Sequence, residues 1–249
     1  MNGLYEVLAP FYAEFNSDVS YPRMAEYVKK RFSECFSGDV KDVLDLGCGS
    51  GNMTFPLKAC GYSMIGVDVS EDMLAQARAM DKENSVLWLC QDMRSFELYG
   101  TVEGVVSSLD CINHLLSKND VLKCFSLVHN YLVPDGIFIF DVNSPYKFRE
   151  IYGQNSYVIE NENAFCVWQN FFSQRSGRCH FAVDLFECLP SGNYQRQSAD
   201  REEQMYTERQ IRKMLADTGF TVLSVTDDYT DAPPIETTER LTFVAKAEK

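Results

Sequence analysis

The chain has 249 residues, 45% of them hydrophobic, which is enough apolar material for a large core and a length that permits one domain or two. With 36 acidic against 23 basic residues the formal net charge is −13, and no long Lys/Arg run interrupts it, so nucleic acid is a poor partner: phosphate binding needs a positive footprint. No stretch approaches about 20 consecutive apolar residues and the start, Met1-Asn2-Gly3-Leu4-Tyr5-Glu6, lacks a signal-peptide layout, so no membrane partner is expected and the cytoplasm is the expected compartment.

The nine cysteines, at 35, 48, 60, 90, 111, 124, 166, 179 and 188, form no C-x-x-C pair. Beside only His114, His129 and His180 they read as reduced, mostly buried thiols, and no bound metal is expected.

In chain order, residues 4 to 15 and 22 to 36 read as helices, the second presenting Met24, Tyr27, Val28, Phe32 and, less regularly, Phe36 on one side. Val43-Leu44-Asp45-Leu46 then runs into Gly47-Cys48-Gly49-Ser50-Gly51-Asn52, a strand ending in a triple-glycine turn. Glycine has no Cβ and adopts positive φ, so backbone there approaches a ligand closely. The next apolar run, Ser63-Met64-Ile65-Gly66-Val67, ends in Asp68, placed where a carboxylate accepts from both hydroxyls of a ribose. Helices near 52 to 60, 71 to 82 and 118 to 132 alternate with strands, the signature of a parallel sheet with right-handed crossovers.

From 156 to 205 the pattern changes to partial alternation, as in Phe165, Val167, Gln169, Phe171 and Phe181, Val183, Leu185, with turns at Ser176-Gly177 and Ser191-Gly192-Asn193. This predicts an inserted antiparallel sheet, which must bury its apolar side against something: it is either a lid on the pocket or a homodimer surface. A helix at 207 to 217 stops at Thr218-Gly219, and strands follow at 220 to 225 and 240 to 245. Residues 226 to 239, with Asp227, Asp228 and Asp231, read as a solvated acidic connection.

The glycine spacing discriminates between cofactors. A dinucleotide fingerprint is G-x-G-x-x-G, whereas here Gly47, Gly49 and Gly51 alternate, Asp45 precedes them, and no basic residue lies between Lys41 and Lys58. A pyrophosphate gains little there, although backbone amides alone can hold one; a cationic cofactor is better matched. A nucleotide-dependent oxidoreductase is therefore disfavoured.

The region resembles the first motif of the class I S-adenosylmethionine-dependent methyltransferases, whose cofactor carries a sulfonium and an ammonium. Gly66-Val67-Asp68-Val69-Ser70, Cys90-Gln91-Asp92-Met93, Val105-Val106-Ser107-Ser108-Leu109-Asp110 and the stretch from Leu132 to Asp141 resemble the family's later strands in order, so the likeness covers about residues 40 to 143. It implies S-adenosyl-L-methionine as cofactor, cradled by Asp45, Gly47, Gly49 and Gly51. Asp68 would hold the ribose, and Val69 and Met73 would sandwich the adenine. Asp92 would accept from the adenine amino group and the Met93 N–H would donate to the ring, with Leu109 completing the pocket and Tyr21 meeting the methionine carboxylate. Tyr5, Tyr12 and Tyr21 resemble the tyrosine-bearing cap of small-molecule methyltransferases, including glycine N-methyltransferase-like and amino-sugar N-methyltransferase-like proteins. The C-terminal third resembles a bacterial group sharing that cap, except that Arg201 and Gln204 stand where a histidine and an arginine are expected between Arg196 and Tyr206.

A sulfonium methyl is already electrophilic, so transfer needs mainly alignment, desolvation and an available lone pair; a hydroxyl acceptor depends more on a base than an amine does. His114 and Asp110, just after the fourth strand, and Tyr12 are the catalytic candidates, with Asn113 an orienting one. Against these stand structural readings: His114 as a satisfied residue, Asp110 as a helix cap, Tyr12 as packing, Tyr21 as a helix boundary. His129 reads as structural.

The expectation is a single α/β domain over 1–249, a doubly wound, mostly parallel seven-stranded Rossmann-like methyltransferase fold. A helical cap (1–38), a cofactor core (39–143), a β-rich insertion (144–206) and a final helix with two strands (207–249) would compose it. The expected activity is methyl transfer to N or O of a small metabolite. A cofactor-binding regulator without turnover is the alternative from another class.

Overall fold

Strands whose residues are apolar on both sides of the pleat need cover on both faces. In the computed structural model, which describes residues 19–160 and 163–249, such strands sit between two helical layers. The predicted helix at 4 to 15, with Tyr5 and Tyr12, lies outside the described residues. The main body runs α1 (Tyr21–Cys35), β1 (Asp42–Leu46), α2 (Thr54–Ala59), β2 (Ser63–Asp68), α3 (Glu71–Met80), β3 (Leu87–Cys90), β4 (Val102–Ser107), α4 (Lys118–Tyr131) and β5 (Leu132–Asn143). It resumes after the insertion as α5 (Glu208–Asp217), and the insertion's four strands β6 (Ser156–Glu160), β7 (Ala164–Ser173), β8 (Arg178–Cys188) and β9 (Tyr194–Gln204) precede β10 (Phe220–Asp227) and β11 (Arg240–Ala247).

The main sheet has the order β10-β11-β5-β4-β1-β2-β3. All its pairs are parallel except those of β11, which lies antiparallel between β5 and β10. Alternate residues of β5 face opposite layers. Phe138 and Phe140 join the core under α4 and α5 with Phe125, Leu215 and Phe243. Ile137 and Ile139 join Met24, Val28 and Phe32 of α1. The close approach of α1 explains Gly104, since a Cβ there would stand 2.5 Å from the Phe32 ring. Ser70 and Ser117 cap α3 and α4 through their side chains, and Thr207 with Gln210 forms a capping box on α5. His129 is structural as read: its Nε2 lies 3.0 Å from the Glu248 carbonyl. Among the described residues no helix is long and apolar enough to cross a membrane.

The insertion is a separate antiparallel sheet in the order β6-β7-β8-β9. One side buries Cys166, Val183, Leu185 and Ala199 with Trp168 against them, continuing to Phe148, Phe172 and Phe181. Asn113 ties this sheet to the main one, its Nδ2 donating to the Gln204 carbonyl (2.8 Å) and its Oδ1 accepting from the Asn143 N–H (2.9 Å). The acidic connection at 226–239 is not the solvated link its composition suggests. Asp231 pairs with Lys30 (2.7 Å) and Arg31 (2.6 Å), Asp228 pairs with Arg23 (2.9 Å), and Tyr229 is buried in the α1 core layer. Asp228 and Asp231 fix α1, and the Tyr229 ring is buried despite the surrounding polarity.

Candidate active site

The turn after β1 takes positive φ at Gly47 (+82°), Gly49 (+53°) and Gly51 (+86°), and side chains are sterically barred as well: a Cβ on Gly47 would lie 2.6 Å from Cys111 Sγ, and one on Gly51 2.8 Å from Phe55. Asp68, at the end of β2, reaches back to this turn. Its Oδ2 accepts from the Gly49 N–H and its Oδ1 from the Ser70 N–H, each at 2.8 Å. A carboxylate has about four acceptor sites, so lone pairs remain for a ligand.

These groups open onto one cavity. Gly47, Gly49 and Asp68 form its floor; Val69, Met73 and Met93 line it further along. Asp92 lines it too, with both oxygens engaged by Arg94, at 2.9 and 3.1 Å from its Nε. At the other end stand Tyr21, Leu109 and His114. The Tyr21 hydroxyl is buried with no hydrogen-bond partner among the described residues, and burial raises its pKa. Gly51, Asp45 and Asp110 are not among the residues that line it, and Tyr12 lies outside the described residues.

Asp45 is fully buried beneath the turn, where Thr54 Oγ1 donates to its Oδ2 (2.6 Å) and Oδ1 has no partner among the described residues. Burial pushes its carboxyl up to about 7, with the Asp68 charge adding and Thr54 opposing. A raised folded value means stability that is complete below the ordinary carboxylate range and lost as pH rises through about 7. Glu203, likewise raised to about 7 mainly by burial, acts in the same direction. Asp45 and Glu203 are therefore expected to withdraw stability as pH rises from about 4 to 7, each tenfold weakening of proton binding on unfolding being worth ~1.4 kcal/mol. His114, held neutral, acts in the opposite direction below its ordinary value. Asp45→Asn should accordingly gain on the wild type as pH rises through that window. Urea unfolding of both chains at a series of pH values checks this; a difference that is flat or falls with pH would contradict it.

The other end of the cavity begins where β4 stops. Leu109 and Asp110 both take left-handed φ, +57° and +56°, a conformation that costs of order 1–3 kcal/mol per non-glycine residue. Asp141, fully buried at the end of β5, holds it in place: its carboxylate accepts from the backbone N–H groups of Leu109 and Asp110 (2.7 Å each), from the Tyr229 hydroxyl (2.7 Å) and from Arg240. Arg240 also reaches Asp110 (3.3 Å) and Asp228 (3.5 Å). Asp110 accordingly makes no side-chain cap on the short 3-10 turn Cys111–His114.

His114 Nε2 lies 2.7 Å from Arg201 Nη2 and 3.9 Å from Asp110 Oδ2. Burial, then the Arg201 charge, hold its pKa well below the ordinary histidine value, so the ring is neutral and Nε2 accepts from the guanidinium. Arg201 donates also to Glu203 (2.7 Å), whose other oxygen takes Asn143 Nδ2 (3.3 Å). Asp110, His114 and Glu203 bring ligating atoms within 4.8 Å of one another, a spacing that suits a metal ion. The Arg201 guanidinium lies among them, 3.8 Å from Asp110, and is the cation of this cluster.

Sequence reading missed Asp141, Tyr229, Arg240 and Glu203 as site residues. Asp141 carried a usable signal: a lone carboxylate following Ile137-Phe138-Ile139-Phe140 in a buried strand requires donors. Arg240 and Glu203 carried none, since their partners are distant in sequence.

A glycine turn that admits no side chain, an acid at the end of the second strand, a buried Tyr21 hydroxyl with Asn52 beside it and an Asp45 oxygen with no partner among the described residues fit a ligand bearing a ribose and positive charge. With the sheet order above, they define an α/β enzyme built around a nucleoside cofactor. Residues 43–136 match the methyltransferase domain family. The chain is 31% identical over 244 residues to a Geobacillus sp. (strain WCH70) protein that bears a methyltransferase name, covering 97% of this chain and 99% of that one. Among solved structures, an S-adenosylmethionine-dependent methyltransferase from Clostridium acetobutylicum superposes with a TM-score of 0.88 at 27% identity, covering 98% of this chain and 99% of that chain. The sugar N-methyltransferase KedS8 of Streptoalloteichus, at 17% identity, shares the fold with a TM-score of 0.79 over 100% of this chain and 94% of its own. The protein belongs to the class I S-adenosylmethionine-dependent methyltransferases and uses S-adenosylmethionine as its cofactor.

Proposed function

We propose that the protein methylates N or O of a small polar metabolite, and that an amine suits the site better than a hydroxyl. The observation that carries this reading is the hydrogen-bonding end wall of the cavity, where His114 is backed by Asp110, Arg201 and Glu203. In this reading Asp68 holds the ribose, Val69 and Met73 flank the adenine, Asp92 and Met93 meet its edge, and Tyr21 and Asp45 serve the amino-acid end.

When bound, S-adenosylmethionine supplies an electrophilic sulfonium methyl. The residues of the chain then have to orient the acceptor and exclude water. His114 already accepts from Arg201 and is held neutral, its pKa well below the ordinary value, so it is a poor proton acceptor, and the oxygens of Asp110 are shared between two guanidinium groups. That favours alignment of an amine arriving in its neutral form over general-base catalysis.

His114→Ala and Asp110→Asn are expected to leave cofactor affinity within about threefold, roughly 0.7 kcal/mol, while kcat falls by about tenfold. A loss beyond about a thousandfold with a new inflection in the pH profile would instead make one of them a general base. The acceptor class is tested with methyl-labelled cofactor and a polar-metabolite extract: a labelled low-mass product is expected, and label confined to protein or nucleic acid would overturn the reading.

A further inference from the structure

Lys147 opens the π-helical turn Lys147–Tyr152 that follows the carboxyl end of β5, the side of an open α/β sheet on which ligands bind. Its Nζ stands 5.5 Å from the centroid of the Tyr152 ring. The Tyr152 hydroxyl takes a hydrogen bond from Asn143 Nδ2 (3.1 Å), the same group that reaches Glu203. Lys147 thus borders the charged end wall.

Its neighbours there are neutralised. Arg201 has Glu203 at 2.7 Å, and Arg240 has Asp141 and Asp110. Lys147 makes no ion pair among the described residues: Asp110, Glu239 and Glu203 act on it only from a distance, Arg240 repels it, and burial lowers its pKa. Lys147 is half-buried, and an ammonium partly withdrawn from water without a carboxylate is left with capacity that an aromatic face fills only in part. The ammonium is a point charge with three rotatable donors, suited to an anion whose geometry is not fixed in advance.

We propose that Lys147 anchors an anionic group, carboxylate or phosphate, carried by the methyl acceptor. The inference rests on the small-metabolite reading above. His114 lines the cofactor cavity and Lys147 does not, so in this proposal the anion lies at the end of the acceptor away from the reacting atom. Lys147 is therefore a specificity residue rather than a base.

The test is thermal unfolding of the full chain with S-adenosylhomocysteine in sodium phosphate, sodium acetate or sodium chloride at matched ionic strength. The wild type should melt about 2–4 °C higher in phosphate or acetate than in chloride. A response to phosphate alone identifies a phosphoryl group, and one to acetate alone a carboxylate. Lys147→Met, with Lys147→Gln as a second uncharged variant, should lose the response while melting close to wild type in chloride; Lys147→Arg should keep part of the response. Equal melting of the wild type in all three salts, or an unchanged gain in the uncharged variants, would overturn the proposal. The labelled-methyl assay separates the two ideas: a low-mass product without an anion response removes the anchor alone, whereas an anion response without such a product supports the anion site and counts against the small-metabolite reading.

Discussion

Arg240→Met should cost the fold about 3–5 kcal/mol, the range for removing one partner of a buried ion pair. Arg240 is the cation that Asp141 and Asp110 share, and Asp141 is completely buried. Without the guanidinium, the Asp141 carboxylate keeps its two backbone donors and Tyr229 but loses its compensating charge. The left-handed pair Leu109–Asp110 hangs from that carboxylate, so the strain stored at the end of β4 has less to hold it. Asp141→Asn in the Arg240→Met background should cost less than Asp141→Asn alone, since the stranded charge is then gone; coupling of about 0.5–3 kcal/mol is the range for residues in one network. Urea unfolding of the four chains measures it. A loss below about 1 kcal/mol for Arg240→Met would mean that this network does not hold the site.

The second large effect is on the cofactor. Asp68→Ala should weaken S-adenosylmethionine and S-adenosylhomocysteine by about 1.5–3 kcal/mol, or roughly ten- to 150-fold, the range for hydrogen bonds to a charged group. Two losses combine in that figure. The ribose loses its acceptor, and the Gly49 and Ser70 N–H groups lose the carboxylate that pins the glycine turn. Asp68→Asn, which retains one acceptor oxygen, should fall between. Calorimetry should give 1:1 binding in the wild type with no competition from NAD, and wild-type affinity in Asp68→Ala would remove Asp68 from the ribose role.

The two halves of the site differed in how far they could be read from sequence, and the reason is physical. The cavity floor is local: Gly47, Gly49 and Asp68 lie within 22 positions on one strand–turn–helix–strand unit, whose backbone geometry demands glycine and whose turn is pinned by the acid. The alternation in 156–205 was legible for the same reason, since a period of two is a short-range signal. The end wall is assembled by tertiary contact. Arg201 and Glu203 come from β9, His114 from the turn after β4, and Arg240 from β11, and no period or motif links them. The 226–239 stretch misled because composition counts its aspartates without revealing that Arg23, Lys30 and Arg31 wait on α1 to receive them.

The placement of β11 has a consequence for how the molecule is made. It is the last described strand in chain order, yet it occupies an interior position, paired on both sides. While the chain is being synthesised, β5 presents an open edge with Ile137, Phe138, Ile139 and Phe140 along it, and unpaired apolar edges recruit other chains. The glycine turn and Asp68 belong to earlier residues and touch nothing on β11. Asp141, by contrast, waits for Arg240, the first residue of that strand. Sealing the sheet and neutralising the acid that supports the end wall are thus a single event. A nascent chain released before it would carry both an open apolar edge prone to associate and an uncompensated buried acid.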